Sequence, residues 1–395
     1  MDFELSEEQR MLKKMVKDFT QKEIAPIAAE IDKSGEFPWG CIRKIGELGI
    51  FGLVLPPAFG GTGPDRLSFL VALEEISAAS ASIALAVICS SVASRQILAN
   101  ANEEQKARYL PAMARGERLG ACGSTEPSGG ANWPYTVQTS ARREDNSYVL
   151  NGTKCFISNG GEADIYVVLA RTDPGKGPMG ISGLIVEKGT SGFNFGKREE
   201  KLGLRGDVSR ELFFEDCRVP TANLLCEGIL PLVTREVATF GMPGLGAIAV
   251  GLAQAALEAT TQYVKERPVA FGQMLANFDG IQCAIADMAS MVEASRWLVL
   301  RAGAMSEDAS DLTPGVMAGL FACEAALQVT SKALQAFGTS GYTTDFPIER
   351  YFRDARGLML VAWPMEIRRL ILGRLKLGLP TLAPLGPTSP RAGGT

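Results

Sequence analysis

The apolar positions of the first 118 residues recur at the spacing of amphipathic helices. Ser6 and Gln9 form an S-x-x-Q capping box directly ahead of the first apolar stripe. Further helical patterns occupy residues 39–48, the stretch that begins at Leu67, and the residues from Glu103 onward. These patterns predict an N-terminal α-helical domain over residues 1–118.

After residue 118 the pattern changes to short apolar runs and alternation. The segment from Tyr148 to Ser158 predicts two strands joined by a tight turn at Asn151-Gly152, because this dipeptide favours two-residue hairpins. Further strand patterns lie at residues 164–171, 181–187 and 211–215. Together they predict a middle antiparallel β-barrel domain over residues 119–229.

Long helical patterns return in the last third of the chain. They cover residues 251–265, 281–305, 315–337 and 365–377. Four long helices with short connections predict a C-terminal four-helix bundle over residues 230–379, followed by an irregular tail at 380–395 that is rich in Pro, Gly, Ser and Thr. The predicted fold class is therefore α+β.

Composition and charge exclude several classes of function. The chain has 395 residues, a net charge of −4 and no basic run, so no nucleic-acid partner is predicted. The eight cysteines include no C-x-x-C pair and predict scattered reduced thiols. The acidic N-terminus is unlike a signal peptide, and we find no apolar run long enough to cross a bilayer. A cytoplasmic protein without a membrane segment is predicted.

The chain contains no histidine. This absence excludes Ser-His-Asp and Cys-His nucleophiles, an imidazole general base and every histidine metal ligand, and no metal site is predicted. Any chemistry must therefore use carboxylates, hydroxyls, thiols, backbone amides or a bound cofactor.

A series of short motifs follows in a fixed order along the chain. They are S-T-E-P-S-G-G-A-N at 124–132, L-N-G-T-K at 150–154, F-I-S-N-G at 156–160, A-D at 163–164, K-L-G-L-R-G at 201–206, V-P at 219–220, A-D-M at 286–288 and R-Y-F-R-D-A at 350–355. In this order and spacing the motifs resemble those of the acyl-CoA dehydrogenase family, over residues 3–378. Each motif is weak alone, but their ordered sum is specific.

The resemblance implies a homotetramer that binds FAD non-covalently. It places one side of the isoalloxazine ring against the β domain, where hydroxyls and backbone amides would contact the polar edge and an aromatic side chain would cover the ring. The residues implied in this contact are Cys122, Ser124, Thr125, Gly130, Ala131, Phe156, Ile157 and Ser158, with Pro364 and Glu366 from the last helix.

The resemblance also implies that the adenosine and pyrophosphate of FAD contact a neighbouring subunit. The matching residues are Arg267, Gln335, Phe337, Gly338 and Thr339. Three features depart from the family pattern. The family usually has two glycines where this chain has Gly338-Thr339, the spacing after Arg267 is one residue longer, and Asp279 stands where glutamine is common.

The residue that normally removes the substrate proton is missing. In the family, a carboxylate in the stretch Y-E-G-T-x-Q/E-I takes a proton from the carbon beside the thioester. The matching stretch is residues 361–367, and the position of the base is Ala362. Some members carry the glutamate on the first helix of the bundle, at the position of Gly241. Neither alanine nor glycine can accept a proton, so the catalytic residue is left unassigned.

The acyl-CoA site is altered as well. The family's D-x-x-R motif matches residues 239–242, where both charges are absent, and Trp363 replaces a small glycine beside the base. The residues expected to contact the substrate are Ala131, Phe240, Gly241, Met242 and Trp363. We expect the tryptophan to fill space or reshape the acyl cavity.

Other groups near the site remain open as the base. Glu236 is a candidate for a relocated carboxylate and Cys89 for a thiol, whereas Glu366 is interpreted as a flavin contact and Asp354 as a structural partner of an arginine. The favoured function is dehydrogenation of an acyl-CoA thioester or the reverse reaction, with an electron-transferring flavoprotein as partner by family analogy. The alternatives are elimination or desulfination of a thioester, and a non-catalytic FAD-binding role.

Overall fold

The computed structural model describes residues 4–130, 136–269, 272–305 and 311–381. The predicted capping box is present, because the Gln9 N–H donates to Ser6 Oγ at 3.2 Å and the Ser6 N–H donates to Gln9 Oε1 at 3.0 Å. The helices of the N-terminal domain are α1 (Glu7–Phe19), α2 (Ala28–Ser34), α3 (Trp39–Glu47), α4 (Arg66–Ala79), α5 (Ala81–Asn100) and α6 (Glu103–Ala114). The predicted helical domain is confirmed.

The middle domain is built on one sheet. Its strands are β1 (Gly120–Gly123), β2 (Ser140–Glu144), β3 (Ser147–Ser158), β4 (Ile165–Arg171), β5 (Ile181–Glu187), β6 (Phe193–Arg198), β7 (Ser209–Pro220) and β8 (Leu224–Cys226). The strand order is β6-β7-β3-β2-β4-β5-β8, with β1 beside β4. The sheet is mixed, since β4 pairs in parallel with β1 and β2, so the expectation of a purely antiparallel domain is corrected.

The predicted hairpin turn at Asn151-Gly152 is wrong. Strand β3 runs through both residues, and the chain reverses earlier, at Asp145 with φ +49°, between β2 and β3. The Asn151 side chain exchanges two hydrogen bonds with Asp216 of β7, at 2.9 and 3.1 Å, which hold it within the sheet. Gly152 sits at a bulge with φ +148°, and a Cβ there would lie 2.6 Å from Thr139 Oγ1. The dipeptide therefore makes a close approach rather than a turn.

The last third of the chain is helical, as predicted. Its helices are α7 (Leu230–Glu236), α8 (Met242–Glu266), α9 (Asp279–Gly303), α10 (Thr313–Phe337), α11 (Thr339–Tyr342), α12 (Ile348–Leu358) and α13 (Met365–Lys376). The four predicted long helices correspond to α8, α9, α10 and α13, whereas α12 was not predicted. A π-helical turn, Val237–Gly241, joins α7 to α8.

Two helical stretches are long and apolar enough to cross a membrane by length and composition. They are Ala81–Asn100 and Leu230–Glu266, and 83% of the apolar window of each is buried within the protein. The sequence reading that no run has sufficient length is corrected on this point. Tight packing accounts for the composition: at Gly251 of α8, a Cβ would lie 2.0 Å from the carbonyl oxygen of Glu74 on α4.

Helix α12 attaches the bundle to the loop before β7. The buried Asp354 carboxylate accepts the Leu204 N–H at 2.6 Å. The arginine next to it, Arg353, instead pairs with Asp32 and Glu349, at 2.6 Å in each case. Burial raises the pKa of Asp354 to about 6. Because this is above the ordinary value of 3.8, the carboxylate costs stability as pH rises from about 4 to about 6, and the cost persists at higher pH.

Replacement of Asp354 with asparagine should therefore stabilise the protein at pH 7.5. The amide oxygen can still accept the Leu204 N–H, and the buried charge is removed. The pKa difference converts to a gain of at most about 3 kcal/mol in the free energy of unfolding at pH 7.5, with little gain at pH 4. Urea unfolding at both pH values measures it, with the exposed Asp287→Asn as control. A loss of stability at pH 7.5 would contradict the prediction.

Candidate functional site

The flavin-contacting residues predicted in the β domain are grouped at one edge of the sheet. Cys122 lies on β1, and the partly exposed Ser124 and Thr125 follow directly after this strand. The Cys155 N–H of β3 donates to the Thr125 carbonyl oxygen at 2.9 Å. This bond joins the two segments that were predicted to form one face of the site. Gly130 is exposed with φ +47°, and Ala131 lies outside the described residues.

A buried ion pair fixes the turn after β1. Lys154 is 0% exposed, Glu126 is 4% exposed, and Nζ lies 2.7 Å from Oε1. Glu126 also accepts the N–H groups of Gln138 at 2.6 Å and Thr139 at 3.0 Å. Burial lowers the pKa of Lys154 to about 8. For Glu126 burial acts in the opposite sense, but the ammonium and these hydrogen bonds prevail and lower its pKa.

Phe156 projects from the sheet at a second irregularity of β3. The register with β7 shifts between Lys154 and Ile157, and Phe156 has φ +55° and is 68% exposed. The neighbouring Ile157 is buried in the core. An aromatic ring held outside the sheet by a strained residue offers a flat apolar surface, which suits the predicted role of Phe156 against a ring system.

Ser158 belongs to a polar network that the sequence did not reveal. Its hydroxyl donates to Asp207 Oδ2 at 2.9 Å, and the same oxygen lies 2.9 Å from Lys201 Nζ. The hydroxyl proton is therefore committed, and the Ser158 oxygen is left with lone pairs that can accept a hydrogen bond. Asp207 is buried, and its Oδ1 atom has no hydrogen-bond partner.

The thiols at this edge are poor bases. Burial raises the pKa of Cys122 to about 12 and raises the pKa of Cys89 on α5 as well. A thiol that stays protonated near neutral pH cannot remove a substrate proton. Cys89 is therefore not supported as the base.

The predicted contacts to adenosine and pyrophosphate gather at one end of the bundle. Exposed Arg267 follows α8, while exposed Gln335 and buried Phe337 close α10. The Phe337 ring stacks on Tyr263 with a centroid distance of 4.0 Å, so it is a packing residue that joins the two helix ends. Exposed Gly338 (φ +60°) and Thr339 continue this surface. Among the described residues, no hydrogen bond links this group to the β-domain edge.

The loop between α12 and α13 carries Ala362, the predicted position of the base. Ala362 is exposed and left-handed, with φ +59°. Trp363 is buried. Pro364 caps α13, and exposed Glu366 lies in its first turn.

Gly241, the second predicted position for a base, lies on the π-helical turn. Phe240 and Met242 are buried on either side of it, and a Cβ at Gly241 would meet the Val92 and Val237 side chains at 3.9 Å and the Glu236 carbonyl oxygen at 4.0 Å. A Cβ atom therefore fits at Gly241 without a steric clash. Irregular π turns often mark functional sites.

Glu236 precedes this turn and is held in a buried ion pair. Its Oε2 atom lies 3.3 Å from Nε of Arg95 on α5, and the Arg95 guanidinium lies 5.7 Å from the centroid of the Phe240 ring. The carboxylate, the guanidinium and the aromatic ring thus form one cluster beside the predicted acyl segment. Glu236, the candidate for a relocated carboxylate, is buried in this cluster.

Three domain models of one family match the chain in succession. They are the N-terminal domain of acyl-CoA dehydrogenase at residues 6–117, its middle domain at 121–217 and its C-terminal domain at 233–377. The chain belongs to the acyl-CoA dehydrogenase family.

Named relatives of similar length support this assignment. An acyl-CoA dehydrogenase of Bacillus subtilis is 42% identical over 95% of this chain and 99% of its own. The acryloyl-CoA reductase (NADH) of Anaerotignum propionicum is 41% identical over 95% of both chains. A solved chain from work on the electron transferring flavoprotein of Acidaminococcus fermentans is 40% identical with a TM-score of 0.93, and covers 95% of this chain and 100% of its own.

The acyl-CoA dehydrogenase fold makes this chain an FAD-dependent flavin oxidoreductase, and a neighbour of the same fold is solved with FAD bound. The described residues fit this cofactor. Phe156 offers an exposed ring, the turn after β1 offers hydroxyls, and Asp207 carries a buried oxygen that lacks a partner. Positions 362 and 241 hold an alanine and a glycine.

Proposed function

We propose that the protein is an FAD-dependent oxidoreductase that acts on the CH–CH group of an acyl-CoA thioester with a relocated or atypical base. The observation that carries this proposal is the exposed Phe156 ring beside the hydroxyls of the turn after β1, together with the left-handed loop at position 362. A member that had lost its chemistry would have no need to hold Ala362 in a left-handed conformation, which costs alanine free energy. The same pocket would serve dehydrogenation or the reverse reaction.

The flavin edge supplies orientation. When bound, FAD accepts a hydride from the substrate or returns one to it. The proposed contacts are Ser124, Thr125 and Ser158 to the polar edge of the ring, and Phe156 to its face. Exposed Glu366 and Pro364 add contacts from the start of α13.

The thioester is proposed to lie along the π-helical turn. The proposed contacts to the thioester are Phe240, Gly241 and Met242 of this segment. Buried Trp363, next to Ala362, is the proposed contact from the other side. The absent base and D-x-x-R charges argue against an ordinary fatty-acyl substrate. Because Trp363 stands where the family has a small glycine, we propose a short, branched or cyclic acyl group, or an altered direction of binding. Ala131 is a further proposed contact to the substrate, on the evidence of the sequence.

Glu236 is the proposed source of proton transfer. Its carboxylate is buried beside the thioester segment, and the Arg95 guanidinium holds it in one orientation. A proton taken from the substrate would reside on this carboxylate, about one and a half helical turns from Gly241. Cys89 is a weaker alternative because burial raises the pKa of its thiol.

The assembly follows the same reasoning. Arg267, Gln335, Gly338 and Thr339 form an exposed polar surface at the end of the bundle, where a second copy of the chain could bring its flavin. We therefore propose a homotetramer in the cytoplasm, with the adenosine and pyrophosphate of FAD held between subunits. An electron-transferring flavoprotein is the proposed redox partner.

An anaerobic visible spectrum, recorded before and after addition of a panel of acyl-CoA thioesters, tests the function. Bleaching of the oxidised flavin band by a saturated thioester is the expected result. In Glu236→Gln the bleaching rate should fall by about a hundredfold or more, whereas the exposed Glu117→Gln should match the wild type. A yellow protein that no thioester bleaches would reject dehydrogenation and favour elimination, desulfination or a non-catalytic role. Reoxidation of chemically reduced protein by an enoyl-CoA would identify the reductive direction.

A further inference from the structure

Arg368 is a fully buried cation that receives no carboxylate. Its side chain is 0% exposed and donates four hydrogen bonds, all to main-chain carbonyl oxygens. The acceptors are Trp363 at 2.6 Å, Gly319 at 2.9 Å, Leu358 at 3.0 Å and Val361 at 3.0 Å. Among the described residues, no acidic side chain forms an ion pair with it.

The four carbonyls belong to three parts of the bundle. Gly319 lies on α10, Leu358 ends α12, and Val361 and Trp363 belong to the loop that leads into α13. One guanidinium therefore ties the loop to the helices on both sides. A planar group with several fixed donors can hold such an arrangement, whereas a lysine ammonium cannot reproduce it.

Two of these acceptors flank Ala362 directly. The carbonyls of Val361 and Trp363 both point at Arg368, and Ala362 between them has φ +59° while its side chain is exposed. Because the carbonyls of Val361 and Trp363 are bound to buried Arg368, the Ala362 side chain between them points toward the surface. The left-handed conformation, which an alanine does not prefer, is explained by these two bonds.

Burying a cation without a counter-ion is costly, and an apolar side chain of similar volume would pack the same space. Main-chain carbonyls offset that cost only if all of them are held in place. This cost is understandable when the group fixes a functional loop.

We propose that Arg368 is a positioning residue that sets the direction of the side chain at position 362. The frame for a catalytic side chain is thereby kept although the side chain itself is an alanine. This role of Arg368 in the loop does not depend on the reaction, and only the measurement of flavin bleaching rests on the proposed acyl-CoA chemistry.

The first measurement is hydrogen exchange of the loop amides at residues 359–363 and 365 in the FAD-loaded protein. Arg368→Lys should accelerate this exchange by about tenfold or more while leaving α8 and α10 protected. Arg369→Lys is the matched control, because Arg369 follows directly on the same helix, is 52% exposed and pairs with Glu324. Equal exchange in the two variants would overturn the proposal.

The second measurement uses a glutamate placed at position 362. Thioester-dependent bleaching of the flavin should be at least about tenfold faster in Ala362→Glu than in Ala362→Glu/Arg368→Lys at equal FAD content. Equal, measurable rates would overturn the positioning role. If none of the thioesters bleaches the flavin of Ala362→Glu, the acyl-CoA proposal fails instead. Hydrogen exchange then still decides the role of Arg368.

A third comparison applies if Arg368→Lys does not load FAD. Ala362→Gly and Ala362→Val are then compared in the presence of the native arginine. A site held left-handed accepts glycine and rejects a β-branched residue, so loop exchange in the valine variant should be at least about tenfold faster. Equal protection would overturn the proposal.

Discussion

Replacement of Glu126 with glutamine will lower the free energy of unfolding by about 3–5 kcal/mol. The Lys154 ammonium would remain in a fully buried position without its counter-charge, 2.7 Å from a neutral amide. Since the buried pair ties the turn after β1 to β3, we also expect the FAD content to fall. Chemical unfolding and the ratio of flavin to protein absorbance measure the two effects.

The pH dependence of this variant separates charge from packing. Burial already lowers the pKa of Lys154 to about 8 in the presence of Glu126, and loss of the carboxylate lowers it further. The unfolded chain then binds more protons than the folded one between the lowered pKa and the ordinary value of 10.5, so the stability of Glu126→Gln should rise with pH across this range. The exposed pair of Arg115 and Glu117 provides the control, because Glu117→Gln should leave the free energy of unfolding nearly unchanged. A loss in Glu126→Gln that does not change with pH would contradict this account.

Ala362→Glu should produce or accelerate thioester-dependent bleaching of the flavin by about a hundredfold to ten-thousandfold, the usual contribution of a general base. The position is exposed, its backbone is held outward, and Trp363 is already buried beside it. A carboxylate placed there therefore needs no rearrangement of the loop. Stopped-flow absorbance with the acyl-CoA panel gives the rate.

Ala362→Gln is the matched control, since it has the same shape without a base. Gly241→Glu tests the alternative position, where the nearest side-chain atoms to a new Cβ lie at 3.9 Å. A gain in Ala362→Glu and none in Ala362→Gln supports the proton-transfer role. If the glutamine variant is equally fast, the gain does not arise from a base, and the interpretation of position 362 is wrong.

The sequence predicted the three domains because the apolar positions change from a helical to an alternating period after residue 118 and return to a helical period in the last third of the chain. Helix α1 carries an apolar stripe on one face, whereas α5 is buried on most sides. Helix α12 was not predicted, although its charged motif contains the buried Asp354. The hairpin at Asn151-Gly152 was predicted from a local preference that the pairing of β3 with β7 overrides.

The residues of the site divide in the same way. Motif order predicted the segments around Thr125 and Ser158, which the structure joins through adjacent strands. It did not reveal the partners of these segments. Lys154 and Glu126 are separated by 28 residues, and Ser158 and Asp207 by 49, so no local pattern relates them. The sequence also did not predict the contacts of Arg368. All its acceptors are main-chain carbonyl oxygens, which every residue has, so no residue type marks them.

The π-helical turn makes the site depend on the number of residues as well as on their identity. Val237–Gly241 is a five-residue irregularity within a helical stretch that otherwise continues from Leu230 to Glu266. Each residue of a regular α-helix turns the chain by about 100°. Deletion of one residue within the turn would restore a regular helix and rotate α7 by that angle relative to α8. Glu236 would then face away from Arg95. The one additional residue in the turn therefore sets the rotation of α7 relative to α8.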